Sequence, residues 1–377
     1  MNHKYDYIIL GAGAAGLSLV HYILNSELRD SKVLLVDRDT KESNDRTWCF
    51  WEKEAGPFES IIHKRWESAL FKSAYHSETL DLKPFEYKMI RGADFYGFIK
   101  SQISKVTNVD FKVGEVQAVT DDNAEPKVVV GGDTFVASYI FDSRFALSDI
   151  QLRKKDHLTL QHFKGWFIKT TKPSFDPETL TFMDFDIPQL GGTRFMYVLP
   201  FSEDRALIEF TLFTSDILED REYVDQLKSY INEGLGIVKY EIVEEEFGVI
   251  PMSTAKFNRG EGRVIKIGTA AGLSKGSTGF TFQRIQEDCN AIVQGLCSGS
   301  LTFRKSSPRF NFYDEILLNV LATNKLSGEE VFGKLFKRNT TETVLSFLNE
   351  KTRFSEELGI MMKSPTVPFT KAFFEQL

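Results

Sequence analysis

The chain has 377 residues, of which 42% are hydrophobic and 26% charged, so it can form two domains or one domain with a large insertion. Its net charge of −7 argues against nucleic acid as a partner. The odd number of cysteines, Cys49, Cys289 and Cys297, is typical of a reducing compartment, and neither they nor the histidines have metal-ligand spacing, so we predict no metal site.

The N-terminal segment has the pattern of a dinucleotide-binding unit. In order, it contains an apolar strand (5–10), the glycines Gly11, Gly13 and Gly16, a helix from Leu17 to about Leu28, a second strand (33–36) and Asp37. Gly11 permits a tight turn, Gly13 lets the backbone approach a pyrophosphate, and Gly16 allows the helix to pack on the strand. Free N–H groups at the helix N-terminus attract phosphate, and Asp37 can accept hydrogen bonds from ribose. We assign to the cofactor Gly11, Gly13, Ala14, Ala15, Gly16, Asp37 and Arg38.

No signal peptide is predicted, because the glycine motif begins close to Met1. No uncharged apolar run reaches the ~18 residues that a membrane span needs. A polar turn then leads into an aromatic cluster at 44–51, after the second strand. Arg46 in this turn can neutralise a cofactor phosphate, and the alternative is a surface salt bridge.

Residues 61–91 contain short apolar stretches that suggest strands of an inserted sheet. A helix over 91–99 follows. Further strands are predicted at 109–113, 116–120, 127–130 and 138–144, with Gly131 and Gly132 as a hairpin turn. The last of these strands ends in polar residues, as expected of a parallel strand beside a cofactor crevice.

Longer extended segments follow between 157 and 253. Strands are predicted at 158–170, 180–185, 194–201, 206–214 and 240–250, with one helix at 214–231. Strands without intervening helices indicate an antiparallel sheet, so this part is interpreted as a substrate domain.

The chain then repeats the first pattern, with a strand at 262–268, a glycine-rich turn and a helix that runs through Cys297. Simple NAD binding does not account for this late segment, whereas in flavoproteins such a segment closes over the flavin, so FAD is preferred to NAD. The residues assigned to it are Gly268, Thr269, Gly279 and Phe280. Any nicotinamide cofactor would bind transiently, because no second glycine motif occurs.

Residues 308–377 have apolar side chains at helical spacing beside basic ones. Helices of this kind either pack on the domain or lie on a membrane surface. The predicted fold is α/β, with three parts. These are a discontinuous FAD-binding Rossmann-like domain (1–60, 86–150 and 255–300), an inserted antiparallel-sheet substrate domain (61–85 and 151–254) and a C-terminal helical region (301–377).

Two acids stand in apolar strands and are the candidate catalytic residues. Strand periodicity places Leu207, Glu209 and Thr211 on one face, and burial there favours a protonated Glu209. The alternative is an exposed glutamate at a sheet edge. Asp184 has similar apolar neighbours, and we expect it to lie on an adjacent strand and to share a pocket with Glu209. No motif for nucleophilic hydrolysis is present.

Several segments together resemble the bacterial lycopene beta-cyclase family. In chain order they are GAGAAG (11–16), NDRTWCFW (44–51), FDSR (141–144), QHFKGW (161–166), MDF (183–185), YVLP (197–200), LIEFT (207–211) and GTAAG (268–272). The resemblance implies a flavoprotein that converts the ψ-ends of lycopene and related carotenoids into β-ionone rings, giving γ-carotene and then β-carotene. It implies reduced FAD, with NAD(P)H as the reductant, and an essential acid where Glu209 stands.

The chain departs from the family at two positions. Phe210 stands where related cyclases often carry a second acid, and Thr269 replaces the Asp of flavin hydroxylases. A forty-carbon apolar substrate implies a cytoplasmic protein that is peripherally attached to the inner face of the membrane. Two alternatives are an FAD-dependent monooxygenase or reductase acting on an isoprenoid, and a non-catalytic pigment carrier.

Overall fold

A computed structural model describes residues 3–122, 125–260 and 262–377. Met1, Asn2, Asn123, Ala124 and Glu261, which the predicted domain ranges include, lie outside the described residues.

The strands and helices follow the predicted order closely. The strands are β1 (His3–Leu10), β2 (Val33–Asp37), β3 (Thr47–Glu52), β4 (Lys64–Trp66), β5 (Ser68–Lys72), β6 (Ser77–Asp81), β7 (Glu86–Arg91), β8 (Val109–Val113), β9 (Val116–Asp122), β10 (Glu125–Val130), β11 (Asp133–Asp142), β12 (Leu158–Thr170), β13 (Thr179–Asp184), β14 (Thr193–Ser202), β15 (Arg205–Thr214), β16 (Tyr240–Ser253) and β17 (Val264–Lys266). The helices are α1 (Ala14–Leu24), α2 (Gly92–Ile103), α3 (Asp220–Ser229), α4 (Phe282–Cys297), α5 (Pro308–Ala322), α6 (Gly328–Arg338), α7 (Thr341–Leu348), α8 (Phe354–Lys363) and α9 (Thr366–Gln376).

The first sheet has the strand order β8-β2-β1-β11-β10-β9, and β17 pairs with β11. Strands β1, β2, β8, β11 and β17 are parallel, as expected of a nucleotide-binding fold. Ile9 is fully buried beneath helices α1 and α4, whereas Ile8 and Leu10 are fully buried on the other face of the sheet, in a core with residues of β10 and β11. Helix α1 begins at Ala14, three residues before the predicted Leu17, so the helix N-terminus lies directly at the glycine motif.

The second sheet has the order β16-β12-β15-β14-β13-β5-β6 and is antiparallel except for the pair β13–β5. One face packs against the C-terminal helices α5, α6 and α7, and the other face packs against α3. Helix α3 begins at Asp220 rather than at the predicted position 214, because Thr214 still belongs to β15 and Glu219 caps the helix.

A third, three-stranded sheet has the order β3-β7-β4. The prediction that residues 61–91 belong to one inserted sheet is therefore only partly correct, because β7 pairs with β3 and β4 pairs with β7, whereas β5 and β6 join the second sheet. Strand β3 carries the aromatic cluster of residues 44–51, and residues on either side of it contact both larger sheets. Trp48 packs on Phe95 and Phe282 beside the first sheet, whereas Trp51 packs on Phe182 and Phe280.

Candidate active site

The glycines of the N-terminal motif have the geometry that their predicted roles require. Gly11 has a φ of 97°, in the left-handed region that favours glycine. A Cβ at Gly16 would lie 1.9 Å from the carbonyl oxygen of Gly11, so glycine is required where α1 crosses the strand. A Cβ at Gly13 would meet no atom within 4 Å. The open space at Gly13 beside the first-turn N–H groups fits the diphosphate of a dinucleotide.

Asp37 lies at the end of β2 next to this motif. One carboxylate oxygen accepts a hydrogen bond of 2.6 Å from the backbone N–H of Ala12, and the other accepts one of 2.9 Å from Asp39. The acid is therefore fixed beside the glycine turn. Arg38 follows it with an exposed side chain.

The late glycine-rich segment meets the start of α1. Gly268 has a φ of 65°, and a Cβ there would lie 2.7 Å from Cβ of Ala15. Thr269 follows at the half-buried start of the same turn. Gly279 and Phe280 lie further along, at the second sheet: Gly279 contacts Gln161, and the Phe280 ring lies 4.5 Å from that of Trp51.

Arg46 connects the 44–51 segment to β16. Its Nη1 atom donates hydrogen bonds to the backbone carbonyls of Asp45 at 2.8 Å and Phe247 at 3.4 Å. These bonds differ from the surface salt bridge of the alternative interpretation, and they hold the guanidinium at β16, where its charge acts on Glu246. The contact of Arg46 with a cofactor phosphate stays a prediction.

Glu209 and Glu246 form a buried carboxyl pair, hereafter the acid pair. Strand β12 lies between β15 and β16, and its Gly165 is in register with Glu209 on one side and Glu246 on the other. Because Gly165 has no side chain, the two carboxyl groups approach each other within hydrogen-bonding range. Both glutamates are more than 90% buried. The prediction of a desolvated Glu209 is confirmed, and the alternative of an exposed edge glutamate is wrong.

Two oxygen atoms of the acid pair accept hydrogen bonds from threonine side chains. Thr211 donates its hydroxyl hydrogen to Oε1 of Glu209. Thr47 donates to Oε2 of Glu246 at 2.7 Å. The buried Oε1 of Glu246 receives no hydrogen bond from an N–H or hydroxyl group within the described ranges.

Burial raises the pKa of Glu209 well above its usual range, and the neighbouring charge of Glu246 raises it further. Burial also raises the pKa of Glu246, although the hydroxyl of Thr47 and the charge of Arg46 oppose that shift. At neutral pH the pair therefore retains a proton, and Glu209 is the better site for it.

Three neutral polar groups complete this side of the site. Tyr197, in register with Glu209, donates a hydrogen bond of 2.6 Å to the hydroxyl of Tyr87. Burial raises the pKa of both tyrosines and of the Cys49 thiol, so none of the three carries a charge near neutral pH.

Asp184 does not share this pocket, and that prediction is wrong. Strand β14 separates β13 from β15. Asp184 accepts a hydrogen bond of 2.9 Å from Tyr230, which belongs to the core on the α3 face of the sheet. Glu209 lies on the opposite face, with Leu207 and Phe213.

A cavity of about 570 Å³ lies along the free edge of β3. Its lining combines charged side chains, among them Lys275, Arg284 and Glu350, with aromatic ones: Phe50, Trp51, Phe58, Phe85, Phe280 and Phe282. Cys49 also lines it, and the charges of Glu246 and Glu209 act on the Cys49 thiol. Cys49 is thus near both the cavity and the acid pair, although neither glutamate lines the cavity.

The comparison with known families agrees with this geometry. The family profile described as "Lycopene cyclase protein" matches residues 6–373. This chain belongs to the lycopene cyclase family. Within that family, lycopene beta-cyclase of a Paracoccus species is 25% identical over 306 residues, which cover 78% of this chain and 74% of that protein.

Plant relatives of this lycopene cyclase family member are longer. Chromoplastic capsanthin/capsorubin synthase of Citrus sinensis is 25% identical over 334 residues, which cover 81% of this chain. The chain spans only 63% of the length of that relative.

Solved structures confirm the fold class. A flavoprotein/dehydrogenase of Cytophaga hutchinsonii has a TM-score of 0.68 at 13% identity and covers 99% of both chains. A geranylgeranyl bacteriochlorophyll reductase-like protein of Thermoplasma acidophilum has a TM-score of 0.64 at 14% identity, covering 98% of this chain and 99% of that one. At these identities the likeness concerns the fold alone.

Glu246 is the site residue that the sequence did not reveal. It lies in a run of three glutamates, Glu244 to Glu246, which is typical of a solvated strand face. A signal existed, because the alternation of the strand places Glu246 and Gly248 on the face opposite to Glu245 and Phe247. This alternation identifies Glu246 as a site residue only if the register of β16 against Gly165 is known. That register depends on pairing between distant segments of the chain.

Proposed function

We propose that this chain cyclises the ψ-ends of lycopene to β-ionone rings, giving γ-carotene and then β-carotene, with Glu209 as the proton donor. The observation that carries the proposal is a buried, proton-retaining Glu209, paired with a second buried carboxyl group, in a member of the lycopene cyclase family. A carboxylic acid that remains protonated at neutral pH can donate to a weakly basic carbon.

The reaction requires a proton and a dry, cation-tolerant pocket. Glu209 protonates the terminal double bond, the tertiary cation is attacked by the neighbouring alkene, and loss of a ring proton gives the β-ionone end. One proton enters and one leaves, so substrate and product are isomers. The aromatic faces of Trp51 and Phe280 attract a cation without reacting with it as nucleophiles would.

FAD is the cofactor that this fold is proposed to hold, with NAD(P)H as a transient reductant. Gly11, Gly13, Ala14, Ala15 and Gly16 would hold its diphosphate, Asp37 its ribose, and Gly268, Thr269, Gly279 and Phe280 its further parts. Reduced FAD would supply negative charge that stabilises a cation in a site without water. The open space at Gly13 and the contact of Gly268 with Ala15 support this assignment.

The test is the substitution Glu209→Gln, assayed on lycopene with reduced FAD and followed by the pigment spectrum. We expect a loss of β-carotene formation of about a thousandfold, because general acid catalysis contributes on this scale. Glu245→Gln is the matched control, since Glu245 is a half-exposed neighbour paired with Lys164. A folded, flavin-loaded Glu209→Gln variant that still forms substantial β-carotene would refute the assignment.

The same assay separates this function from that of a reductase or monooxygenase. A cyclase product has the mass of lycopene, whereas a reductase product gains hydrogen and a monooxygenase product gains oxygen. Expression in a lycopene-accumulating bacterial host would show whether one or both ends are cyclised.

We further infer that the protein works on the inner face of the cytoplasmic membrane as a peripheral protein. Across the described ranges, no helix is long and apolar enough to cross a bilayer. Helices α8 and α9 nevertheless expose apolar side chains at helical spacing: Phe354, Leu358, Met361 and Met362 on α8, and Val367 and Phe374 on α9, with Leu377 directly after it. Arg353, Lys363 and Lys371 are exposed on the same two helices or at their ends, where they can meet anionic headgroups.

Membrane binding is tested by co-sedimentation with vesicles that contain phosphatidylglycerol. We expect the double substitution Met362→Glu and Phe374→Glu to reduce binding by about tenfold or more, because it places charge where apolar side chains would enter the headgroup region. The same charges at two exposed positions on other elements, Val113→Glu and Val238→Glu, are the control. Equal binding of both double variants would contradict α8 and α9 as the docking face.

A further inference from the structure

We propose that Glu246 is a positioning residue of the reaction: it shares one proton with Glu209 across Gly165 and keeps that proton on Glu209 until the substrate takes it. This inference rests on the proposed role of Glu209. It assigns a function to a residue on a different strand, 37 positions along the chain.

The first argument is steric. A Cβ at Gly165 would lie 2.8 Å from Cδ1 of Leu207 and 3.1 Å from Cγ of Glu246. The first contact requires the end of the Leu207 side chain to move, and the second requires Glu246 to shift by a few tenths of an ångström, so a side chain at position 165 would disturb the acid pair. The glycine thus provides the space in which two carboxyl groups from non-adjacent strands meet.

The second argument concerns the hydrogen-bond donors to the carboxylate oxygens of Glu246. A buried carboxylate oxygen without a donor destabilises the folded protein, because it has lost its hydrogen bonds to water and has gained none in return. Oε1 of Glu246 is such an atom, while its Oε2 is satisfied by Thr47. A proton on Glu209 supplies the missing donor, so that the pair carries one proton and one negative charge.

The third argument is the charge around the pair. Arg46 favours the ionised form of Glu246, Glu244 opposes it, and the nearby groups from β3, β7 and β14 (Cys49, Tyr87 and Tyr197) are neutral. The hydrogen bond from Thr211 lowers the pKa of Glu209, but no cation among the described residues adds to that effect. The negative charge therefore resides on Glu246 and the proton on Glu209.

The fourth argument concerns the residue that follows Glu209. Phe210 points to the opposite face of β15, where it is fully buried against α3 and lies 6.1 Å from the ring of Tyr223. A second acid at that position would face the α3 core and not the pocket. In this chain the partner carboxyl is supplied by β16.

The experiment is a pH–activity profile of Glu246→Gln in the FAD-loaded protein. Activity of the unaltered protein should fall as pH rises, because Glu209 loses its proton. Glutamine removes the negative charge and can donate an N–H bond to ionised Glu209, so the alkaline limb should move to lower pH by about one unit or more. The KM for lycopene should change little, and Glu245→Gln should leave the profile unchanged.

One outcome overturns the role of Glu246 and another overturns the proposed function, and the two outcomes can be distinguished. A Glu246→Gln variant whose alkaline limb coincides with that of the unaltered protein overturns the role of Glu246, provided that Glu209→Gln is inactive. An active Glu209→Gln variant overturns the proposed function itself.

An infrared measurement covers the case in which Glu246→Gln does not fold. The inference expects a protonated-carboxyl C=O band at neutral pH in the unaltered protein, and expects Glu209→Gln to remove it. Persistence of the band in Glu209→Gln would place the proton elsewhere and overturn the inference.

Discussion

Thr47 donates its hydroxyl hydrogen to Oε2 of Glu246 over 2.7 Å, and this bond joins the first residue of β3 to the middle of β16. A segment next to the proposed cofactor site thereby fixes one carboxyl of the acid pair. A single hydroxyl group thus connects the segment beside the proposed cofactor site to the partner of the proposed proton donor.

Substitution Thr47→Val should reduce cyclisation at neutral pH by about tenfold, because a hydrogen bond to a charged group contributes roughly 1.5–3 kcal/mol. Thr47→Ser keeps the hydroxyl group and is the matched control. The measurement is the initial rate of β-carotene formation at equal flavin content. If both variants have the rate of the unaltered protein, the hydroxyl has no role in positioning Glu246.

Substitution Gly165→Ala should reduce activity by about ten- to a hundredfold while the protein stays folded, since small displacements of reacting groups are costly. The added methyl group would push against Leu207 and Glu246. Gly97→Ala, on the exposed face of α2 with no atom within 4 Å, is the control and should retain full activity. A fully active Gly165→Ala variant would show that the spacing of the carboxyl groups is unimportant.

Substitution Gly13→Val should lower the flavin content without lowering the thermal stability of the flavin-free protein. The added side chain enters space that is open in the protein alone, but it would occupy the path of a diphosphate. Flavin absorbance per protein and the melting temperature are the two readouts. Normal flavin content would show that Gly13 does not border the cofactor.

Substitution Glu350→Gln should destabilise the protein at neutral pH by about 2–3 kcal/mol. Despite the cost of burial, Lys275, Arg284 and Arg304 lower the pKa of Glu350 to about 2. Because the folded-state pKa lies below the unfolded value, this stabilisation is present above about pH 4.5 and disappears as pH falls towards about 2.

Urea unfolding at several pH values measures this difference. Glu178→Gln, which removes an exposed ion pair with Lys64, is the control and should cost less than about 1 kcal/mol. A Glu350→Gln effect of the same size at pH 7 and at pH 3 would contradict the electrostatic origin of the stabilisation.

The sequence was sufficient for the parts of the fold that depend on local patterns. The β1–α1–β2 unit follows from the order of apolar runs, glycines and Asp37, and the long strands β12 to β16 follow from their apolar content. The boundaries of α1 and α3 were shifted by a few residues, because the positions of helix caps depend on neighbouring strands.

Pairings between distant segments could not be read from the sequence. Asp184 and Glu209 look alike as acids within apolar strands, yet they lie on opposite faces and two strands apart. A β-bulge between Thr181 and Asp184 contributes to this difference, because it disturbs the alternation of side chains along β13. Glu246 was likewise indistinguishable from its exposed neighbours in the run of glutamates, because the pairing of β16 with β12 could not be predicted from the sequence.

Because Gly165 lies between Glu209 and Glu246, the acid pair forms only when β12, β15 and β16 are aligned in one particular register. A slip of β16 by one residue would bring Glu245 or Phe247 opposite Gly165 and would leave Glu209 without its partner. The pair therefore exists only when three strands from distant parts of the chain are correctly aligned. During refolding, cyclase activity should recover with this slow long-range pairing, after the helical signal in circular dichroism has returned.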